Sequence, residues 1–534
     1  MDTSNLASAE RWVIERHSLS HYTLVITGLI FALLTAGCEA AQPSVGPASP
    51  AIAPVPPAPA DMGEVAGRIA LPHESSAAVN LFFENTATEA VTVVALEPGQ
   101  RTYVTALPAG VYCAYTWLPP EFRQKGAFTA CRLDEPCPDH PLRPFTVTVG
   151  ATVSGVDITD WYTPAGEPLV IVGTLVDGTG ADPVPDAALV IREQRIVAVG
   201  PRAETPTNAQ MFADPQTTIL PGFINTHVHN AYSAQNLQTW AQAGVTTVRD
   251  VGAPAGRAYF ITRDRLRTDP RNAWLIASGP LVTVPGGYPI AGNNFPSLTV
   301  TSPADARDKI GSLIDDGADV IKITLSADDA NPTLSLEEAA AIVETAHRQG
   351  IPVTAHAGDA GSLRLALDAG VDDVSHIAID HVPDEDIRRM VADGVYWVPT
   401  LETLGGAGQD ILRRFLTIVR QYNLRRFMAA SGQVALGNDG GYMSGIQIGM
   451  PMTEIELMQK AGMTPMQIIV AATRNGARVC RRDGALGTLQ VGKLADVLVV
   501  NGNPLQELQA LLRVRLVVHR GVIIRPTPDN PAGQ

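Results

Sequence analysis

The feature that most constrains the fold is a regular alternation of short apolar runs and helical patterns between residues 222 and 480. The apolar runs have the length and the β-branched content of strands, whereas the segments between them have helical periodicity. Strands that alternate with helices form parallel sheets, and eight such units close into a barrel with the helices outside. We therefore predict an α/β fold whose main part is a (β/α)8 TIM-like barrel over 222–480. The predicted strands are 223–229, 245–252, 274–279, 319–324, 352–357, 373–378, 396–401 and 434–439.

Signals for helix ends support this division into units. An N-cap residue precedes proline at Ser302 and at Thr464, and proline is well tolerated at the first helical position. Segments 335–338 and 453–456 match the capping-box pattern, and Gly350 is placed to end the preceding helix.

The segments on both sides of the barrel are predicted to be all β. Residues 166–221 and 481–534 carry alternating apolar patterns, and we expect them to join into one composite β-sheet domain. Residues 63–165 contain short β-branched or aromatic runs separated by Gly, Pro and Asn, which predicts a small N-terminal β-sandwich. Segment 108–112 resembles a turn of transthyretin-like and carboxypeptidase-regulatory domains. Spacing, adhesion and sugar binding all stay open as roles for this domain.

The first 38 residues have the pattern of a signal peptide. An apolar run at 24–36 follows Arg11 and Arg16 and is too short for a permanent membrane span. It ends in Leu-Thr-Ala-Gly-Cys38, which resembles a bacterial lipoprotein signal, although Thr replaces the commoner Leu three residues before the cysteine. We expect export to the periplasm or cell envelope, and the resemblance implies a lipid anchor on Cys38. The Pro- and Ala-rich residues 39–62 are predicted to be a linker.

Three of the other cysteines, Cys113, Cys131 and Cys137, fall in the predicted sandwich, and Cys480 lies far from them. In an oxidising compartment we expect one disulfide among the first three. A zinc knuckle completed by His140 is the less favoured alternative.

The charge balance argues against nucleic acid as a partner. The net charge is -15 and the pI is about 5.2, whereas phosphate binding needs clustered Lys and Arg. The simplest meaning of the acidic surface is solubility. We find no Walker loop, and the glycines at 405–408 lack the strand, turn and helix that a dinucleotide fingerprint requires.

A candidate metal site begins at His227 and His229. Residues i and i+2 of a strand point to the same face, so both imidazoles could reach one ion, although chance alone would produce this spacing fairly often. Other polar residues fall at the carboxyl ends of predicted barrel strands, where enzymes with this fold place their chemistry. An inward lysine is costly unless it is neutral or paired, so convergence favours a site over isolated buried residues. These further candidates are Lys322, His356, His376 and Asp439.

Several motifs make the resemblance specific. The chain from about residue 169 to residue 525 resembles the amidohydrolase superfamily, and within it the branch with imidazolonepropionase-like and prolidase-like enzymes. The motifs are Pro221-Gly-Phe-Ile-Asn-Thr-His-Val-His229, Gly317-Ala-Asp-Val-Ile-Lys-Ile323, Val353-Thr-Ala-His-Ala357, the strand that bears His376, Ala435-Leu-Gly-Asn-Asp439 and Gly487-Thr-Leu-Gln-Val-Gly-Lys-Leu-Ala-Asp496.

The resemblance implies two divalent metal ions, with zinc as the default expectation and manganese, iron or cobalt as alternatives. It implies that His227, His229 and Asp439 hold one ion, that His356 and His376 hold the other, and that Lys322 bridges both as a carbamate. A hydroxide held by the metals would attack the scissile carbonyl, and Asp439 would move the proton to the leaving group.

Two positions depart from the family pattern. Asn225 stands where relatives commonly carry Asp, which affects the surroundings of the metal ligands. Tyr288, in Pro285-Gly-Gly-Tyr-Pro289, stands where peptidase-like relatives tend to carry a histidine that helps hold a substrate carboxylate. Tyr288 is thus a candidate substrate-binding residue in a long Gly- and Pro-rich connection at 281–302. The alternative is that this connection is a surface loop without a role in substrate binding.

The sequence predicts a hydrolase that cleaves an amide or cyclic amide C–N bond of a small molecule. A prolidase-like dipeptidase or carboxypeptidase is an alternative, as is a lactonase or a phosphotriesterase-like esterase. A non-catalytic lipoprotein that binds a ligand at the surface is the alternative from another class. The oligomeric state stays open.

Overall fold

The computed structural model describes residues 61–72, 78–131, 137–202, 205–289, 297–326, 331–405, 411–441 and 445–525. The predicted signal peptide, Cys38 and nearly all of the predicted linker lie outside these residues. None of the described helices is both long and apolar enough to span a bilayer.

The N-terminal region consists of two sheets with an apolar core between them. One sheet has the order β4-β1-β8 and the other the order β3-β2-β5-β6-β9, with β7 paired to β5. Aromatic side chains such as Phe83, Tyr103 and Tyr112 fill the core. The strands are β1 (Met62–Arg68), β2 (Val79–Asn85), β3 (Val91–Leu96), β4 (Thr102–Pro108), β5 (Gly110–Trp117), β6 (Lys125–Ala127), β7 (Phe145–Val147), β8 (Thr152–Ser154) and β9 (Asp160–Tyr162).

A disulfide joins Cys131 to Cys137, and Cys113 is a free thiol. This agrees with the expectation of one disulfide among three cysteines. His140 places its Nδ1 3.0 Å from an oxygen of Asp160 and stacks on Tyr162. Since the disulfide occupies the sulfur of Cys131, the structure gives no support to the zinc knuckle.

Four strands lead from this region into the barrel. They are β10 (Leu169–Leu175), β11 (Val184–Arg192), β12 (Arg195–Pro201) and β13 (Gln210–Pro221).

The barrel follows, and its strands run parallel. Seven of the eight predicted strands appear as regular strands. Six of them end one to three residues earlier than expected, and the strand predicted at 319–324 ends at Thr324, as expected. The third strand is interrupted after Ala277. The chain forms a further short strand, Leu281–Thr283, in a segment predicted to be a connection, and this strand pairs with Ser297–Thr299 and with the strand Ile321–Thr324. The barrel strands are β14 (Phe223–Val228), β15 (Val245–Asp250), β16 (Trp274–Ala277), β17 (Leu281–Thr283), β18 (Ser297–Thr299), β19 (Ile321–Thr324), β20 (Val353–His356), β21 (Asp373–Ser375) and β22 (Tyr396–Val398).

The predicted eighth strand, 434–439, closes the barrel without forming a regular ladder. Isolated parallel bridges join Val434 to Trp397 of β22 and Gly440 to Val228 of β14. Gly437 explains the close approach on both sides, because a Cβ there would lie 2.4 Å from Val398 and 2.8 Å from the Cβ of His227. The segment is therefore an irregular extended segment that lies between β14 and β22 and bridges to both.

Helices cover the outside of the barrel. They are α1 (Ala234–Gln242), α2 (Arg257–Arg267), α3 (Pro303–Asp315), α4 (Leu336–His347), α5 (Ala360–Ala369), α6 (Asp384–Ala392), α7 (Glu402–Gly405), α8 (Ile411–Ala429), α9 (Met452–Lys460), α10 (Pro465–Val470) and α11 (Gly476–Val479), with a π-helical turn at Ala471–Asn475.

The helix-start signals are largely confirmed. Ser302 caps α3 with proline following it, and the capping boxes at Ser335 and Thr464 are formed. The capping box predicted at Thr453 was wrong, because α9 begins one residue earlier, after Pro451. A proline at the N-cap offers no side-chain oxygen to the first turn.

After the barrel the chain returns to the strands that preceded it. The last strands are β23 (Val497–Asn501), β24 (Val514–His519) and β25 (Val522–Arg525), with a 3-10 turn at Leu508–Leu512. The seven-stranded order β12-β11-β10-β13-β23-β24-β25 joins both flanks in one sheet through the antiparallel pair β13–β23. The predicted composite sheet is thus present.

Candidate metal centre

The candidate ligands come from five places in the barrel and meet at one end of it. His227 lies in β14 and His229 directly after it, Lys322 lies in β19 and His356 ends β20. His376 directly follows β21, and Asp439 lies in the eighth barrel segment, 434–439. Because the barrel strands are parallel, their carboxyl ends form one mouth, and local strand patterning therefore brings distant residues together.

One cluster joins His227, His229 and Asp439. A carboxylate oxygen of Asp439, Oδ1, lies 3.3 Å from Nε2 of His227 and 2.9 Å from Nε2 of His229. One donor atom from each of the three residues falls within 4.8 Å of the others, which is the spacing of a shared ion. The Nδ1 atom of His227 is buried and has no hydrogen-bond partner among the described residues. Two imidazoles and a carboxylate are donors that suit a divalent metal.

The remaining two imidazoles adjoin this cluster. The rings of His356 and His376 have centroids 4.3 Å apart, and the ring of His376 lies 5.0 Å from that of His227. Burial is the largest cause that lowers the pKa of His227 and of His356 to about 3, so both rings are neutral at pH 7. A neutral imidazole keeps the lone pair with which it binds a metal.

Lys322 is buried in the barrel interior, with 1% of its surface exposed. Its Nζ donates to Oγ of Ser375 at 2.8 Å. Burial, and then the positive charge of Arg249, lowers the pKa of Lys322 to about 7. A substantial fraction of this amine is therefore unprotonated near neutral pH, which is the form that reacts as a nucleophile.

The backbone is unusual at two of the candidate ligands. His376 has φ 72° and Asp439 has φ 64°, a left-handed conformation that non-glycine residues adopt rarely. His376 is held there by a hydrogen bond of 2.7 Å between its Nδ1 and Oγ1 of Thr400, itself at φ 47°. Such strain is concentrated at functional sites, where the surrounding structure enforces it.

A buried ion pair lies beneath the ligands. Arg249 donates to both oxygens of Asp373, at 2.9 and 2.7 Å, and to the carbonyl of Thr226 at 2.6 Å. Thr354 links this pair to the lysine, because its hydroxyl donates to Asp373 at 2.7 Å and lies 3.2 Å from Ser375. We call Arg249, Asp373, Thr354 and Ser375 the barrel floor. It fixes the serine that accepts from Lys322.

Tyr288, the candidate substrate-binding residue, lies at the mouth of the barrel. Its ring is centred 4.8 Å from that of His356, and 42% of its surface is exposed. Its carbonyl accepts from the hydroxyl of Thr324 at 2.8 Å, which anchors the connection to β19. The residue is therefore in a position to contact a ligand.

Asn225 is wholly buried under the cluster and donates to Asn438 at 2.8 Å. Asn438 in turn donates to Glu402 at 3.1 Å. Sequence reasoning missed Asn438 and Glu402, and it also missed Glu454 and Arg420, which lie on helices rather than at strand ends. For Glu454 a signal was available, because it lies on the same helix face as apolar residues such as Ile455 and Met458.

Comparison with known proteins extends these observations. The amidohydrolase family profile matches residues 218–524, which is more than half of the chain. Ochratoxinase from Aspergillus niger is 25% identical over 66% of this chain and 84% of its own length. Imidazolonepropionase from Symbiobacterium thermophilum is 24% identical over 60% of this chain and 84% of its own length.

A solved structure of a Xaa-Pro dipeptidase with bound methionine in its active site aligns with a TM-score of 0.59 and 25% identity. It covers 67% of this chain and 99% of the dipeptidase. Residues 218–524, which the family profile matches, include the barrel and all six candidate ligands. The chain belongs to the amidohydrolase family, whose members generally use divalent metal ions, and it is a hydrolase that acts on carbon–nitrogen bonds.

Proposed function

We propose that this protein cleaves an amide or cyclic amide bond of a small molecule at a site for two divalent metal ions, zinc by default. His227, His229 and Asp439 would hold one ion, and His356 and His376 the other. The observation that carries the proposal is that a donor atom of Asp439 lies within 4.8 Å of donor atoms of His227 and His229, more than 200 positions earlier in the chain. When bound, such ions activate a water molecule and polarise the scissile carbonyl.

Asp439 would act as the proton carrier. Burial by itself would raise the pKa of Asp439, but the two imidazoles that face its Oδ1 outweigh burial and hold the pKa well below its usual range. An ionised carboxylate at the mouth can accept a proton from the attacking water and deliver it to the leaving nitrogen. Tyr288, whose ring lies beside that of His356, would contact the substrate from the connection that follows the third barrel strand.

Lys322 would serve as a carbamate. Its neutral amine adds to carbon dioxide and loses one proton, which gives an anion with two oxygens that can bridge two cations. This change converts a buried positive charge, which is costly, into a negative group among positive ones. Ser375 would then donate to the carbamate instead of accepting from the amine.

A prolidase-like dipeptidase activity is the second candidate, because the Xaa-Pro dipeptidase shares the fold over two thirds of this chain. The tyrosine at position 288 argues against an identical mode of carboxylate binding. A lactonase or phosphotriesterase-like activity and a purely ligand-binding role are the other outcomes to be tested.

The decisive experiment is hydrolysis of a panel of cyclic amides, N-acyl amino acids, dipeptides, lactones and phosphotriesters by metal-reconstituted protein. We expect cleavage of an amide, loss of activity with a chelator and recovery on adding zinc. Metal analysis should give about two ions per chain, and labelling with ¹³C-carbon dioxide should give a carbamate signal that the K322M variant lacks. A protein that binds no metal and cleaves none of these compounds would contradict the proposal.

We also propose export and lipid anchoring through Cys38, supported by the signal-like sequence at 24–38. Expression in a bacterium with labelled palmitate should label the wild-type chain and leave C38A unlabelled. Labelling of both or of neither would refute the anchor.

A further inference from the structure

The mouth of the barrel contains a buried cation that forms no ion pair with any acid of the described residues. Arg420 of α8 exposes only 7% of its surface, yet it has no ion-pair partner within the described part of the chain. Arg426 on the same helix shows the usual arrangement, because it pairs with Asp384 and donates to the carbonyl of Val382 at 2.7 Å. An unpaired buried cation is costly, and proteins retain such groups where a ligand completes them.

The protein contacts of Arg420 leave part of the guanidinium unused. Nη1 donates to Oγ1 of Thr403 at 2.9 Å and to the carbonyl of Thr400 at 3.5 Å. Nε is buried and has no hydrogen-bond partner among the residues that the structure describes. Thr400 also bonds His376, so the guanidinium lies beside a candidate metal ligand.

The nearby acids are already engaged elsewhere. Glu454 accepts from the backbone amides of Leu401 at 2.9 Å and Glu402 at 2.7 Å, and burial raises its pKa to about 8, which leaves it mostly neutral at pH 7. Asp439 faces His227 and His229. Burial lowers the pKa of Arg420 to about 10, so the guanidinium stays charged at neutral pH.

We propose that Arg420 binds an anionic group of the substrate, and that the substrate class is an amide with a carboxylate close to the scissile bond. A guanidinium suits a carboxylate because its N–H groups can donate charge-assisted hydrogen bonds, and the Nε of Arg420 has a donor that no described residue uses. This inference rests on the proposed amide hydrolysis and refines it. Arg420 would supply, from a helix, the positive charge that Tyr288 does not carry.

The test uses a pair of substrates that differ only in the carboxylate, N-acetylleucine and N-acetyl-3-methylbutylamine. We expect the metal-loaded wild type to prefer the acid in kcat/KM. R420M should lose about 10- to 100-fold on the acid, mainly through KM, and much less on the neutral amide, as expected for one charged hydrogen-bonding group. R420K should recover part of the preference.

Two controls separate binding from a structural role. T403V removes a hydrogen bond to Arg420 but keeps the cation, and it should keep the preference. R426M removes a paired arginine from the same helix and should behave as wild type. Equal losses on both substrates in R420M would overturn the proposal, as would a wild type without preference.

A binding measurement distinguishes this inference from the proposed function. Calorimetric titration of N-acetylleucine into D439N and into D439N/R420M does not need turnover. We expect binding at least about tenfold weaker in the double variant, the loss of one charge-assisted contact. Equal affinity, or no binding to either protein, would refute the role of Arg420, whereas absence of hydrolysis with intact arginine-dependent binding would refute only the proposed reaction.

Discussion

The barrel floor and the barrel mouth each contain a buried arginine. The arginine on the floor forms an ion pair, whereas the arginine at the mouth forms none with the described residues. On the floor, Arg249 is completely enclosed and donates to both oxygens of Asp373. Burial would lower the pKa of this arginine, but the charge and the hydrogen bonds of Asp373 raise it overall. At the mouth, Arg420 is almost as buried but has hydroxyl and carbonyl partners instead of an acid.

The difference indicates what each charge is for. A buried charge with a geometrically matched counter-ion serves the fold, because removing either member exposes the other to an uncompensated environment. A buried charge without one lowers the stability of the empty protein and is available to a ligand. In this protein the arginine with a counter-ion therefore serves the fold, and the arginine without one among the described residues is the one that we propose binds substrate.

The largest expected effect is at the mouth and concerns Asp439. D439N should lower kcat by roughly 10²- to 10⁴-fold, because the amide cannot carry the proton, while the circular dichroism spectrum stays that of the wild type. D384N, which alters an exposed acid of α6, is the matched control and should keep full activity. Undiminished turnover by D439N would refute the assigned role.

On the floor the expected effect is on stability. D373A should lower the free energy of unfolding by about 3–5 kcal/mol, because Arg249 is left buried and unpaired. Urea denaturation measures this loss. The double variant R249M/D373L should recover most of it, since no charge is then left without a partner. If D373A unfolds like the wild type, the floor is not the structural pair that its geometry indicates.

A third site tests whether pairing works the same way outside the barrel. Glu89 of the N-terminal region pairs with Arg482 and Arg520. Burial alone would raise the pKa of Glu89, but hydrogen bonds and charges from the two arginines lower it to about 2. Its stabilisation is therefore complete above its usual pKa of 4.5 and is lost as the pH falls from there towards 2.

The measurement is the pH dependence of stability in wild type and E89Q. We expect a difference on the order of 1 kcal/mol near pH 6, reduced because the pair is partly exposed, that shrinks as the solution is acidified. Curves that stay parallel down to pH 3 would show that this pair contributes no linked stability.

The smallest expected effect is that of an Arg420 substitution on stability. R420M should change the free energy of unfolding by no more than about 1 kcal/mol, because the loss of a hydrogen bond is offset by the removal of an unpaired charge. R249M, the same substitution on the floor, should cost several times more. Equal losses in urea denaturation would remove the distinction between the two arginines.

Much of the architecture could be predicted from local patterns. The barrel strands, the caps of α3, α4 and α10, and the composite sheet follow from periodicity and capping chemistry that act within a few residues. The irregular conformation of the eighth segment, 434–439, could not be predicted. Its conformation depends on contacts with β14 and β22, far away in the chain.

The candidate site divides in the same way. His227, His229 and Lys322 could be located from the strands that carry them, because the end of a parallel strand is a position readable from sequence. The left-handed backbone of His376 depends on Thr400, and the link from Asn225 to Asn438 joins residues 213 positions apart. No local pattern encodes such pairs.

What the sequence determined alone is thus the set of units and the residues offered at their carboxyl ends, since strand and helix periodicity are local properties. Only the tertiary structure decided which charges are neutralised. The packing of β15, β21 and α8 decides that Arg249 pairs with Asp373 and that Arg420 pairs with no acid among the described residues. Electrostatic pairing acts across space, and the barrel sets those distances by closing.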